Sequence, residues 1–73
     1  MRIGVPAETK DGERRVGLTP EGVRALVAEG HAVLVGRGAG AAVGFADDDY
    51  REAGAAIAAA PAEVWACPLV VKV

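Results

Sequence analysis

The chain has 73 residues, of which 52% are hydrophobic and 25% are charged, and its formal net charge is −2. This composition is typical of a globular domain and excludes a disordered chain. The sequence has one cysteine, which excludes an internal disulfide, and it has no Cys/His cluster with metal-ligand spacing. It also has no basic stripe for nucleic acid and no apolar run of the ~20 residues that span a membrane.

Strand-like and helix-like segments alternate along the first half of the chain. The apolar run Arg2–Val5 predicts a first strand. Thr19 is a favourable N-cap and Pro20 suits the first helical position, so a helix is predicted from there to Gly30, which suits a left-handed cap. Residues 31–35 follow directly and predict a second strand that is buried on both faces.

The second half of the chain carries weaker signals. Asp47 or Asp48 is predicted to cap a short helix that includes Tyr50 and ends at Gly54. Three elements follow: a weak strand over residues 55–59, a helix that Pro61 opens and Pro68 ends, and a final buried strand over residues 69–73.

This order predicts an α/β fold with a parallel sheet, of the Rossmann-like or flavodoxin-like kind. Right-handed crossovers with helices on both faces place residues 31–35 on one side of the first strand and residues 69–73 on the other, with the weak strand outside. The last strand is apolar on both faces and lacks a cover. We therefore expect residues 1–73 to be the first part of a larger, incomplete domain.

The glycine-rich loop of residues 36–44 has some features of a dinucleotide-binding turn. Such a turn leads straight into a helix that holds the pyrophosphate, and an acidic residue follows about 20 positions later. Here Gly44 interrupts any helix that starts after Gly40. Residues 58–60 are alanines where the acidic residue belongs, and the aspartates at 47–49 would repel a phosphate. We interpret the loop as a tight connection, and we expect no cofactor or metal site in this chain.

The charged segment of residues 8–15 is a better candidate site. In open parallel sheets, ligands bind beyond the carboxyl ends of the strands where the strand order reverses, which is here between the first strand and the last. Arg14 and Arg15 lie on opposite faces of an extended run, and a guanidinium suits a small carboxylate ligand. The alternative is a solvated charged loop. We interpret His31 as structural and Cys67 as a small buried hydrophobe.

The sequence GVPAETKDGERRVGLTPEGVRALVAEGHAVLV, with GFADDDYREAGA, AEVW and VVKV after it, resembles the N-terminal segment of alanine dehydrogenases. The α subunit of proton-translocating nicotinamide nucleotide transhydrogenases shares this segment more loosely. The resemblance covers nearly the whole chain. It departs from the family at Gly12, usually Asn, at Gly17, usually Ala, and at Ala28, usually basic or polar. We expect the two glycines to loosen the loop.

The resemblance implies a two-domain, cytoplasmic, usually hexameric enzyme that uses NAD to interconvert L-alanine with pyruvate and ammonia. It implies that Arg15 binds the substrate carboxylate. Lys72 matches the first lysine of the family motif Lys-Val-Lys-Glu-Pro, whereas the second lysine binds substrate. That second lysine, the catalytic histidine and aspartate, and the NAD-binding domain are expected beyond residue 73. Residues 1–73 would then be the N-terminal part of the substrate domain, without catalytic activity alone.

Two alternatives stay open. The chain could belong to the transhydrogenase α subunit, although EGHAVLV and GFADDDY favour the dehydrogenase. It could also be a non-catalytic module that only folds or associates. In the dehydrogenase interpretation the partners are a small-molecule substrate and further copies of the same chain, with no nucleic acid and no membrane.

Overall fold

The computed structural model describes residues 1–7 and 15–73, and strands alternate with helices as predicted. None of the helices in these two ranges is long and apolar enough to cross a membrane. The elements in chain order are β1 (Arg2–Val5), α1 (Pro20–Ala28), β2 (Ala32–Gly36), a one-turn 3-10 helix (Ala41–Val43), α2 (Asp47–Glu52), β3 (Ala56–Ala58), α3 (Pro61–Trp65) and β4 (Leu69–Val70).

The four strands form one parallel sheet in the order β3-β2-β1-β4. The central strand β1 pairs with β2 on one side, where Val5 lies opposite Val35. It pairs with β4 on the other side, where Gly4 lies opposite Val70. The α/β class and the strand order predicted from the sequence are both confirmed. The strand order therefore reverses at β1, as the site prediction requires.

The main core lies between the sheet and the helices α1 and α2. It combines large aliphatic side chains of the strands with the ring of Tyr50, which the ring of Phe45 meets edge-on at a centroid distance of 6.3 Å. The large, fully buried side chains of this layer are Tyr50, Val5, Val23 and Val35. On the other face of β2, Leu34 is half-buried, so the predicted burial on both faces is only partly realised.

Helix α3 covers the opposite face of the sheet, and Gly4 permits its close approach. A Cβ atom at Gly4 would overlap the carbonyl oxygen of Val64 and lie 3.0 Å from the Cγ1 atom of that valine. Cys67 is 6% exposed next to this contact, and its Sγ atom lies 3.6 Å from the carbonyl oxygen of Glu63. The predicted burial of Cys67 is confirmed.

The boundaries of α1 agree with the sequence signals. Thr19 is the N-cap, and its hydroxyl oxygen accepts a hydrogen bond from the Gly22 N–H at 3.2 Å. Pro20 is the first helical residue, and Gly30 follows the C-cap with a φ of 93°. Glycine adopts this left-handed backbone without the steric cost that a Cβ atom brings.

The predicted cap of α2 is wrong. The N-cap is Ala46, and Asp47 and Asp48 are the first two helical residues. The Asp49 carboxylate accepts a hydrogen bond from the Ala46 N–H at 2.8 Å, so an acidic residue in the first turn stabilises the helix start. Asp47 is the first helical residue and not the N-cap, and its carboxylate accepts a hydrogen bond from the Gly38 N–H of the glycine loop.

The last strand is shorter and more exposed than predicted. β4 consists of Leu69 and Val70 alone, and Leu69 is 44% exposed. Beyond it, the Val71 N–H still donates a hydrogen bond to the Gly4 carbonyl oxygen at 2.8 Å. An apolar run is typical of a strand that is covered on both faces, whereas β4 lies at the edge of the sheet.

We expect Gly4→Ala to lower the free energy of unfolding by about 1–3 kcal/mol, which is typical of overpacking in a close contact. The added methyl group would push α3 away from the sheet. Urea unfolding monitored by the fluorescence of Trp65, the single tryptophan, measures the change. An unchanged unfolding midpoint would contradict the prediction, because it would mean that α3 tolerates a methyl group at position 4 without cost.

Candidate functional site

The strand-order reversal lies at the carboxyl ends of β1 and β4, and the segment before α1 packs against this point. A Cβ atom at Gly17 would overlap the Val71 carbonyl oxygen and would lie 2.9 Å from the Cα atom of Lys72. Gly17 was expected only to loosen the loop. The structure gives it a local role, because the absence of a side chain permits this close approach.

Arg15 lies two residues before Gly17 and is exposed. Its Cα atom is within about 7 Å of Gly17, since consecutive Cα atoms are ~3.8 Å apart. Val16 and Leu18 are partly buried and pack against the core. Arg14 and the other charged residues at positions 8–14 lie outside the described residues. The structure thus brings the backbone at Arg15 close to the end of β4, and the role of Arg15 stays a prediction.

A buried tyrosine anchors the segment that carries Arg15. The Tyr50 hydroxyl donates a hydrogen bond to the Leu18 carbonyl oxygen at 2.9 Å. Burial, and then the nearby Asp49 carboxylate, raise the pKa of Tyr50 above its ordinary value. The hydroxyl is therefore protonated and able to donate at neutral pH. The sequence predicts Tyr50 on a helix but does not predict this contact, and the available signal is that Tyr50 is the single tyrosine of the chain.

The glycine loop is built as a connection between β2 and α2. Gly38 has a φ of 76°, and its N–H donates a hydrogen bond to the Asp47 carboxylate at 2.9 Å. The 3-10 helix follows Gly40 directly, and α2 begins only after it. A carboxylate therefore occupies the amide that a phosphate would need, and its negative charge would repel the phosphate.

The other two aspartates of α2 also have partners. Asp48 forms an exposed ion pair with Arg51 at 2.6 Å, and Asp49 accepts the hydrogen bond at the helix start. Within the described part of the chain, no group of three or more His, Cys, Asp or Glu side chains could hold a metal ion. The run of aspartates is best explained by hydrogen bonds that stabilise the start of α2 and hold the glycine loop.

A cavity of about 340 Å³ opens at the same carboxyl edge, over β1, β2 and β3. Its walls are mainly apolar, Arg37 is the charged residue among them, and Trp65 is 55% exposed there. This cavity is not predicted from the sequence, although a tryptophan in a helix of five residues is a signal for it. Its lining consists of Pro6, Ala7, Gly36, Arg37, Ala58, Ala59, Ala60, Pro61, Val64 and Trp65.

His31 lies away from the candidate site, whereas the backbone of Lys72 lies at its edge, beside Gly17. His31 lies at the amino end of β2, the opposite edge of the sheet, and its Nδ1 atom is 3.3 Å from the nitrogen of Met1. Lys72 is exposed, and its Nζ atom donates to the Val73 carbonyl oxygen at 3.4 Å.

The chain belongs to a family described as "Alanine dehydrogenase/PNT, N-terminal domain", whose sequence profile matches residues 4–73. Alanine dehydrogenase 2 of Staphylococcus aureus, strains USA300 and NCTC 8325 / PS 47, is 55% identical over 73 residues, which are 100% of this chain and 20% of that protein. The chain thus spans about a fifth of the length of these relatives. The resemblance inferred from the sequence is confirmed.

Solved structures agree with this assignment. An L-alanine dehydrogenase matches 99% of this chain, and 20% of its own, with a TM-score of 0.96 and 49% identity. A transhydrogenase from Sinorhizobium meliloti matches 80% of this chain, and 18% of its own, with a TM-score of 0.76 and 31% identity. The dehydrogenase is therefore the better match in coverage, geometry and sequence.

The glycine loop generates a first expectation for binding. We expect residues 1–73 to bind NADH with a dissociation constant above about 100 µM, which corresponds to a binding free energy weaker than about −5.5 kcal/mol. The reason is that the Gly38 N–H already donates its hydrogen bond to the Asp47 carboxylate. Titration calorimetry measures the affinity. Tighter binding by this chain would refute our interpretation of the loop. Asp47→Ala tests the role of the carboxylate, because this substitution frees the Gly38 N–H.

The raised pKa of Tyr50 predicts a loss of stability at alkaline pH. Unfolded Tyr50 ionises near its ordinary pKa of 10.0, whereas the folded chain retains the proton to higher pH. The contribution of Tyr50 is therefore complete below pH 10 and falls as the pH rises above it. Unfolding curves at increasing pH should show this decline, and Tyr50→Phe should lack it. Phenolate absorbance of the single tyrosine reports the ionisation directly.

Proposed function

We propose that residues 1–73 are the N-terminal part of the substrate domain of an NAD-dependent alanine dehydrogenase. The whole protein would interconvert L-alanine with pyruvate and ammonia. The observation that supports this proposal is the 55% identity to alanine dehydrogenase 2 along the whole chain. This chain alone would be inactive, because the resemblance assigns the catalytic histidine and aspartate to later residues.

Arg15 is the residue of this chain that we propose for substrate binding. Pyruvate and alanine share a carboxylate, and a guanidinium can donate two parallel hydrogen bonds to its oxygens. The position of Arg15 supports this role, because it precedes the contact of Gly17 with the end of β4, where strand order reverses. A guanidinium that binds both carboxylate oxygens would hold the bound substrate and the transition state alike.

NAD does not fit the glycine loop of this chain, where the Gly38 amide is bonded to the Asp47 carboxylate. We therefore propose that a second domain outside these residues binds NAD. For the whole protein we further propose a cytoplasmic homohexamer, as the resemblance implies. This chain would contribute the substrate side of the cleft between the two domains.

A transhydrogenase α subunit is the second candidate function. The match to the Sinorhizobium meliloti structure, with a TM-score of 0.76, supports this alternative. The two candidates differ in the reaction of the full-length protein. Alanine-dependent reduction of NAD supports the dehydrogenase, whereas hydride exchange between two nicotinamide nucleotides without alanine supports the transhydrogenase.

Substitution of the two arginines in the full-length protein tests the proposed site. Arg15→Ala should lower kcat/KM for pyruvate by about 30-fold or more, since losing a charge-assisted pair costs ~2–5 kcal/mol. Arg15→Lys should restore only part of this, because an ammonium group lacks the bidentate fork. Steady-state kinetics with pyruvate, ammonia and NADH measures both effects.

Arg14→Ala is the matched control, although Arg14 lies outside the described residues. A solvated surface charge contributes less than about 1 kcal/mol, so this variant should stay within about fivefold of the natural protein. If the Arg14 variant lost activity while the Arg15 variant remained normal, the assignment of the two side chains would be wrong.

A further inference from the structure

The short segment from Arg15 to Thr19 is held at three successive points. Gly17 packs against the residues that follow β4. The Leu18 carbonyl oxygen accepts the hydrogen bond of the Tyr50 hydroxyl. Thr19 caps α1. Of these contacts, the one from Tyr50 comes from a side chain on a different helix, 32 residues away in sequence.

The surroundings of Tyr50 fix the position of its hydroxyl. The side chain is 0% exposed, and the Phe45 ring meets it edge-on with an interplanar angle of 78°. Gly40 leaves room for the ring, since a Cβ atom there would lie 2.8 Å from the hydroxyl oxygen. A ring packed this closely cannot swing aside, and the Leu18 carbonyl is consequently held at a fixed distance from α2.

We propose that Tyr50 is a positioning residue for Arg15, acting through its hydrogen bond to the Leu18 carbonyl oxygen. The inference rests on the proposed role of Arg15 in substrate binding. A bidentate guanidinium tolerates little displacement, because both of its hydrogen bonds must align with the carboxylate. Only two residues separate Arg15 from Leu18, so release of the Leu18 carbonyl allows the backbone at Arg15 to move.

The test is Tyr50→Phe in the full-length protein, because phenylalanine fills the same space and removes only the hydroxyl. We expect the KM for pyruvate to rise about three- to tenfold while kcat changes less than about twofold, since the carboxylate contact acts on bound substrate and transition state alike. The KM for NADH should not change. Hydrogen exchange should be faster at residues 15–18 than in the natural protein.

A double-mutant cycle separates a positioning role from general destabilisation. Once Arg15→Ala has removed the carboxylate contact, Tyr50→Phe should raise the KM for pyruvate no further. Val33→Ala is the matched control, because Val33 is buried in the amino half of β2, away from the carboxyl edge of the sheet. It should lower the melting temperature and leave the KM for pyruvate within about twofold.

Three results would overturn the proposal: an unchanged KM in the Tyr50→Phe variant, an equal further rise in the Arg15→Ala background, or an equal rise in the Val33→Ala variant. Failure of the proposed function has a different signature. In that case Arg15→Ala itself would leave kcat/KM for pyruvate unchanged, whatever Tyr50→Phe does.

Discussion

Pairing with β2 on one side and with β4 on the other holds β1 at the centre of the sheet. The chain leaves β1 through α1 on one face and reaches β4 from α3 on the other face. Crossovers that diverge in this way leave a crevice at the carboxyl ends of the strands in open parallel sheets. An open edge between two strands is thus a consequence of strand order, whatever side chains line it.

The alternation of Ile3, Gly4 and Val5 adapts β1 to two different neighbours. Ile3 and Val5 are buried in the layer that α1 and α2 cover. Gly4 points to the opposite face, where the backbone of Val64 in α3 approaches too closely for a Cβ atom. The large side chains of Ile3 and Val5 fill the layer under α1 and α2, whereas the missing side chain of Gly4 lets α3 approach the sheet closely. Together these contacts fix the position of β1 between the helices.

Local signals made much of the fold predictable. Thr19 and Gly30 mark α1 because capping depends on neighbouring residues, and strand order follows from the handedness of crossovers. The cap of α2 was not predictable, since the Asp47 carboxylate could bond either to its own helix or to Gly38, and the sequence does not rank these donors. The hydrogen bond from Tyr50 to Leu18 has no local signature, because it joins residues far apart in sequence.

For the candidate site, the sequence predicts a position in the fold, and the choice of side chain needs the resemblance. Topology selects the end of β1, whereas the resemblance supplies the preference for Arg15 over Arg14. Among the described residues, no polar or charged residue is classed as buried apart from Tyr50, whose hydroxyl is bonded to a backbone carbonyl. An apolar core of this kind fixes the positions of the strands and helices, and any substrate-binding or catalytic groups must come from side chains at the edge of the sheet. The same scaffold can therefore belong to an alanine dehydrogenase or to a transhydrogenase, and residues outside this core must distinguish the two reactions.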